Sequence, residues 1–264
     1  MKRKRYAPTH WARTQNAEKA LKDYLTSHHS PYNRIKELFF DRLLGNDLTG
    51  ATVLDYGGGA GLMSIICARK GATVCLIEAE EAALEAARLH AEVACISHRI
   101  EFIRAESIPP EITSRKFDII LAKDIIEHIP DDRKFLLSLS RCQDEGGMLI
   151  LSTQNRHSLN FFLQGTYNRC WHKNKDWYGW DSTHLRFYTP QSLQRLLSTS
   201  HYLPMLWRSV YLVPYDILSW FFLLRKRIVL EKFNKLDLYL GDIPIINKCG
   251  WNVIVMARRV LADE

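Results

Sequence analysis

The stretch Val53-Leu54-Asp55-Tyr56-Gly57-Gly58-Gly59-Ala60-Gly61 decides how this chain is read. Its first four residues make a short buried strand that runs straight into a glycine-rich turn, and a helix opens at Leu62. Gly57, Gly59 and Gly61 remove Cβ atoms where the backbone must turn sharply and a ligand must come close. An ordinary strand-to-helix turn does not require three alternating glycines with an acid two residues upstream. A nucleotide-type ligand is therefore expected here.

Outward from this turn, short β-rich runs alternate with helical ones. The strands are Thr52 to Tyr56, Thr73 to Glu78, Ile100 to Arg104, Phe117 to Ala122 and Met148 to Thr153. Between them lie the helical stretches Leu62 to Arg69, Glu80 to Val93 and Asp132 to Cys142. Such alternation predicts a parallel sheet covered by helices on both faces. Upstream, Asn16 to Leu25 and Arg34 to Leu44 carry apolar residues at helical spacing, with Ser30-Pro31 as a start signal for the second. Beyond Thr153 the pattern degrades into an aromatic and polar stretch to Trp180, a helix from Thr189 to Ser200, and an apolar run from Tyr211 to Lys235. Trp251 to Ala257 returns to the composition of a buried strand.

With 264 residues, 47% hydrophobic and 25% charged, one elaborated domain is expected. Its parts are N-terminal helices (1–50), a ligand-binding core (51–153), substrate-side insertions (154–250) and a final strand and tail (251–264). The net charge of +7 owes part of its size to Lys2, Arg3, Lys4 and Arg5, which read as a solvated tail. No basic face with interleaved aromatics can be placed on one element, which counts against nucleic acid as a partner. The six cysteines are scattered without metal-like spacing and read as reduced thiols, most of them in the core of a cytoplasmic protein. A secretory signal is not expected, because Tyr6 to Lys22 is polar and helix-like. Val210 to Leu224 is broken by Pro214 and Asp216 and is too short to span a bilayer.

The identity of the ligand follows from the glycine spacing and the acids around it. A dinucleotide fingerprint is G-x-G-x-x-G, whereas this turn reads G-x-G-x-G. Asp55 would repel a pyrophosphate, but it suits the cationic amino group of an amino-acid-like ligand such as S-adenosylmethionine (SAM). No Lys follows the glycines to hold a terminal phosphate, which counts against a P-loop. Glu78 ends the second strand, where an acid can accept both hydroxyl hydrogens of a ribose. Glu106 and Ser107, after the third strand, are candidates for the adenine amino group, with an exposed loop as the alternative. Lys123 and Asp124 follow the fourth strand, at the carboxyl end of the sheet where open α/β sheets bind ligands.

These residues resemble the class I SAM-dependent methyltransferases, and within them the ubiquinone-biosynthesis O-methyltransferase (UbiG-like) group. The resemblance rests on Val53 to Gly61, on Gly71-Ala72-Thr73-Val74 leading to Glu78, and on Phe117 to Pro130 with its Ile-Ile-Glu-His-Ile-Pro ending. Leu151 to Arg156 and Leu185 to Leu193 add to it. It implies a Rossmann-like, mostly parallel seven-stranded sheet with an antiparallel C-terminal strand, two preceding helices and an inserted aromatic and helical cap. It also implies SAM contacts from Gly57 and Glu78, and an upstream arginine, Arg34, on the methionine carboxylate. Tyr56 and Gly58 depart from the group's usual residues but contribute mainly backbone. The stretch from Tyr202 to Gly250 is longer and more aromatic than the group leads one to expect.

Methyl transfer is an in-line displacement, so alignment and exclusion of water matter most. A hydroxyl acceptor gains from a general base, and His128, just after the fourth strand, is the best-placed histidine. The same residue also suits a structural role in its loop. Asp124, Glu127 and His128 have i, i+3, i+4 spacing, compatible with a divalent metal or with a plain solvated turn. His184, in Asp181-Ser182-Thr183-His184-Leu185-Arg186, is a second candidate to face the acceptor, with a surface loop as its alternative. Trp171, Trp177, Tyr178 and Trp180 make either an acceptor pocket or a local mini-core. Residues 210–230 could touch a membrane periphery or add core or dimer surface. The expected activity is O-methylation of a small hydroxylated acceptor, phenolic, polyprenyl or sugar. RNA or protein N-methylation and a non-catalytic SAM-binding module are the rivals.

Overall fold

In a computed structural model of the chain, residues 10–13, 16–28, 31–175, 177, 179, 181, 183–213 and 227–261 are described. Seven strands form one sheet in the order β3-β2-β1-β4-β5-β7-β6. They are β1 (Thr52–Tyr56), β2 (Thr73–Glu78), β3 (Ile100–Arg104), β4 (Ile119–Lys123), β5 (Met148–Gln154), β6 (Tyr202–Val210) and β7 (Asn252–Arg259). The first five are parallel, β7 is antiparallel to β5, and β6 is antiparallel to β7. The strand order reverses between β1 and β4: β2 and β3 follow β1 to one side, and β4 and β5 lie on the other. This is a topological switch point, with a crevice at the carboxyl ends of the strands.

The helices are α1 (Ala17–His28), α2 (Pro31–Leu44), α3 (Leu62–Arg69), α4 (Glu81–Val93), α5 (Pro110–Thr113), α6 (Asp132–Arg141), α7 (Leu159–Thr166), α8 (Pro190–Ser198) and α9 (Arg227–Leu240). Alternate strand residues supply two separate cores, as the pleat demands. Leu54, Ile120 and Leu149 pack with Phe135 and Leu139 of α6 and Leu193 of α8. Val53, Leu121 and Ile150 pack on the opposite face with Phe39 and Phe40 of α2 and Leu84 of α4. Sheet and helices therefore agree with the Rossmann-like fold expected from the sequence.

Several elements depart from expectation. Seven strands were expected but the sixth was not located, because its burial does not alternate cleanly and Pro204 breaks the ladder, with a register shift between Pro204 and Leu206. It lies at the sheet edge, where a proline is tolerated because one side of the strand needs no hydrogen-bond donor. Within the aromatic stretch, Ser158 caps α7 by accepting from Phe161 N–H, a helix hidden by its mixed composition. All six thiols are free, but only Cys67, Cys75 and Cys142 are buried; Cys95, Cys170 and Cys249 are exposed. Residues 2–5 and 214–226, on which the basic tail and most of the apolar run fall, lie outside the described residues. Among the described residues no helix is long and apolar enough to cross a membrane.

Candidate active site

The crevice at the switch point holds a pocket of about 270 Å³. Its floor is Asp55, Gly57, Gly58, Gly59 and Glu78, and its far side is Lys123, Asp124 and Ile125. His10, Trp11, Ala12, Tyr24 and Asp181 close it from above and the side.

The glycine turn is built by backbone that other residues resist. Gly57 has φ 74° and Gly59 φ 56°, in the left-handed region. A Cβ on Gly57 would stand 2.8 Å from Ile125 Cδ1, inside contact distance. Gly61 plays a different part: it precedes α3, and a Cβ there would meet Ala87 of α4 at 3.0 Å, so its smallness serves helix packing outside the pocket.

Glu78 is fixed before any ligand arrives. One carboxylate oxygen accepts from Gly59 N–H at 2.9 Å, and the other from Ala79 N–H at 2.8 Å and Glu80 N–H at 3.0 Å. The acid at the end of β2 thereby ties the glycine turn to its own strand. Asp55 is buried, and Ser64 Oγ donates to it at 2.7 Å. Burial raises its pKa to about 6, so the carboxyl is poised to gain from a cation placed beside it.

At the end of β4 the chain turns through Asp124, whose φ is 55°. Its carboxylate receives Lys36 Nζ at 2.5 Å, Ser152 Oγ at 2.9 Å and Asn252 Nδ2 at 3.0 Å. Against the upward push of burial, the charges of Lys36 and Lys123 hold this carboxyl far below the usual range. Burial pulls the Lys123 pKa down.

The next turn, Ile126–His128, carries Glu127 and His128 inward. Glu127 accepts from Thr153 Oγ1 at 2.8 Å, and its other oxygen is buried without a partner among the described residues. His128 meets the edge of His184, with ring centroids 4.8 Å apart, and both are buried. From there a file of rings runs outward: His184 to Phe187 at 5.6 Å, Phe187 to Phe161 at 5.2 Å, and Phe161 to Trp177 at 5.4 Å. Trp177 thus belongs to a local mini-core backing the histidines. Trp171 is 80% exposed, and Tyr178 and Trp180 lie outside the described residues.

Asp124, Glu127 and His128 do not converge, because Asp124 turns toward Lys36 and Asn252. Glu127, His128 and His184 do bring one ligand atom each within 4.8 Å of one another. A divalent ion there would require an ionised carboxyl, yet burial, helped by the charge of Asp124, raises the Glu127 pKa to about 8. A cation bound there would have to displace the carboxyl proton. The raised pKa also has a stability consequence. Folded Glu127 holds its proton from the ordinary 4.5 up to about 8, so its contribution is fully present in acid and is lost as pH rises through that window. Glu127→Gln, which keeps the neutral form, should melt about 3–10 °C above the wild type at pH 8, and the gain should vanish near pH 4. Thermal melts across pH test this; parallel curves for the two proteins would refute it.

Arg34 is exposed on α2 and does not line the pocket; two residues on, Lys36 reaches it through Asp124. Glu106 and Ser107 line a neighbouring cleft with Pro130 and Lys134, beyond Tyr56, whose hydroxyl donates to the Glu106 carbonyl at 3.0 Å. His10 and Trp11 went unnoticed because they read as part of a polar tail, and Asp181 because only the fold brings it to the pocket of the distant glycine turn.

A family model described as a methyltransferase domain matches residues 28–201, and the chain belongs to that family. The ubiquinone biosynthesis O-methyltransferase of Arabidopsis thaliana mitochondria is 38% identical over 109 residues, covering 40% of this chain and 33% of that protein. The ubiquinone biosynthesis O-methyltransferase of Pseudomonas paraeruginosa is 36% identical over 110 residues, covering 42% of this chain and 47% of the relative. These matches thus span less than half of either relative's length. The crystal structure of magnesium protoporphyrin IX methyltransferase from Synechocystis, with bound S-adenosylhomocysteine, superposes with a TM-score of 0.57 at 15% identity. It covers 87% of this chain and 85% of that one, a likeness of fold.

Proposed function

We propose that this chain is a SAM-dependent O-methyltransferase acting on a small hydroxylated acceptor. The observation that carries the reading is the pocket itself: Glu78, Asp55 and two left-handed glycines meet at the carboxyl ends of β1 and β2, and Asp181, which also lines it, is linked to a buried histidine pair, through Thr183 to His128 and at 3.6 Å to His184. The donor would supply a methyl group on a sulfonium centre. Glu78, already oriented by three backbone N–H groups, keeps one of its roughly four acceptor positions for a ribose hydroxyl. Asp55 offers its carboxylate to an ammonium group, and Gly57 and Gly59 let the backbone lie against the ligand. His128 takes the acceptor's hydroxyl proton. His184, whose pKa falls to about 4 through burial and the neighbouring His128, stays neutral beside it and does not oppose that gain of charge.

Purified protein should release S-adenosylhomocysteine when offered a panel of catechols, polyprenyl phenols, sugars and RNA, with turnover confined to hydroxylated small molecules. Turnover with RNA alone would overturn the acceptor class. His128→Ala should lower kcat by about 10²–10⁴-fold while SAM affinity stays within about threefold. Unchanged kcat removes His128 from the chemistry.

A further inference from the structure

Asp181 and Thr183 join His128 in a chain of hydrogen bonds that the function above does not explain. Asp181 lines the pocket, whereas His128 and His184 are buried outside its lining. One oxygen of Asp181 is 2.6 Å from Thr183 Oγ1 and 2.7 Å from Thr183 N–H. Thr183 Oγ1 is in turn 3.2 Å from His128 Nδ1. The second Asp181 oxygen is 3.6 Å from His184 Nε2.

The direction of these bonds is decided by counting protons. A threonine hydroxyl has one hydrogen, and an ionised carboxylate only accepts. Asp181 is ionised: against the push of burial, the bonds from Thr183 hold its pKa below the usual range. The Thr183 hydrogen therefore goes to Asp181 at the shorter distance, and Thr183 Oγ1 is left as an acceptor toward His128. His128 must then donate from Nδ1, and the lone pair of the neutral ring falls on Nε2. The logic is that of a carboxylate fixing a catalytic imidazole, with a hydroxyl inserted between the two.

We propose that Asp181 is a positioning residue, acting through Thr183 to hold His128 in the Nδ1–H form with Nε2 as its basic nitrogen. This rests on His128 being the base, but the tautomer itself can be read without any acceptor. Glu127 is held neutral and His184 is neutral, so neither of these two neighbours competes with Asp181 for the Nδ1 proton through charge.

The experiment is a long-range ¹⁵N–¹H NMR correlation of the His128 ring in the full chain, assigned by its loss in His128→Gln. Wild type should carry the proton on Nδ1, and so should Thr183→Ser. Thr183→Val, which removes the acceptor, and Asp181→Ala, which frees the Thr183 hydrogen to point at Nδ1, should move the proton to Nε2. With an acceptor in hand, Thr183→Val should lower kcat about 10-fold or more, within the roughly 10²–10⁴-fold a positioned base supplies, with KM and SAM affinity little changed. Thr183→Ser should restore it. An Nε2–H wild type, or a Thr183→Val tautomer identical to wild type, overturns the inference even if methyl transfer is found. Failure of every hydroxylated acceptor would count against the methyltransfer reading while leaving the tautomer result standing.

Discussion

Glu78→Ala and Gly59→Val are expected to weaken SAM binding by at least about 100-fold, a loss of roughly 2.7 kcal/mol or more by calorimetry. Removing the Glu78 carboxylate strands the N–H groups of Gly59, Ala79 and Glu80, which now share its two oxygens. Each buried unpaired donor costs about 1–3 kcal/mol, and the turn that should cradle the ligand loses its tie to β2. A ribose hydroxyl loses its acceptor at the same stroke. Gly59→Val acts by a different route. Its φ of 56° is strained for any residue with a Cβ and most of all for a β-branched one, and that Cβ would stand 3.4 Å from Trp11 Cη2. The added methyls then project toward the space between the turn and Trp11. Two variants that fail for unrelated reasons make the test robust, and wild-type affinity in both would remove the pocket from the donor site.

Lys36→Met should destabilise the protein by about 2–4 kcal/mol in urea denaturation at pH 7. Lys36 and Asp124 are joined at 2.5 Å, with side-chain exposures of 12% and 31%, and the pair connects α2 to the end of β4. Without the ammonium, Asp124 keeps Ser152 and Asn252 but loses its nearest countercharge. The pH dependence has a definite sign. A carboxyl whose folded pKa is depressed contributes stability above its unfolded pKa and loses it as pH falls through the folded value. The difference between wild type and Lys36→Met should therefore be largest near neutrality and narrow in acid, as Asp124 in the variant takes up a proton. A difference independent of pH would mean that lost packing, not charge, explains the effect.

How far the sequence could be read depended on the range of each interaction. The strands from Thr52 to Gln154 were legible because a doubly covered strand is a short apolar run, and the helices between them repeat at helical spacing. The glycine turn and Glu78 were legible too, since 19 residues separate Gly59 from its carboxylate partner and both stand at strand ends. Lys36 escaped because its partner Asp124 lies 88 residues away, and a charge on an amphipathic helix reads as solvated until the sheet is placed beside it. Asn252 escaped for the same reason at 128 residues. His128 and His184 were each picked singly, but the sequence held no statement that Thr183, 55 residues beyond His128, would complete its hydrogen bonding.

By itself, then, the sequence determined the alternation of strand and helix, the glycine turn, and the acids flanking it, all features written in local backbone preference and hydrophobic period. The tertiary structure alone decided which side chains share the crevice: Asp181 joins the lining, Trp11 lies against Gly59, Lys36 reaches the crevice only through Asp124, and Glu106 lines a neighbouring cleft. Those choices are set by the packing of strands and helices distant in sequence, and burial then changes the chemistry of what it encloses, lifting Glu127 to about 8 and dropping His184 to about 4.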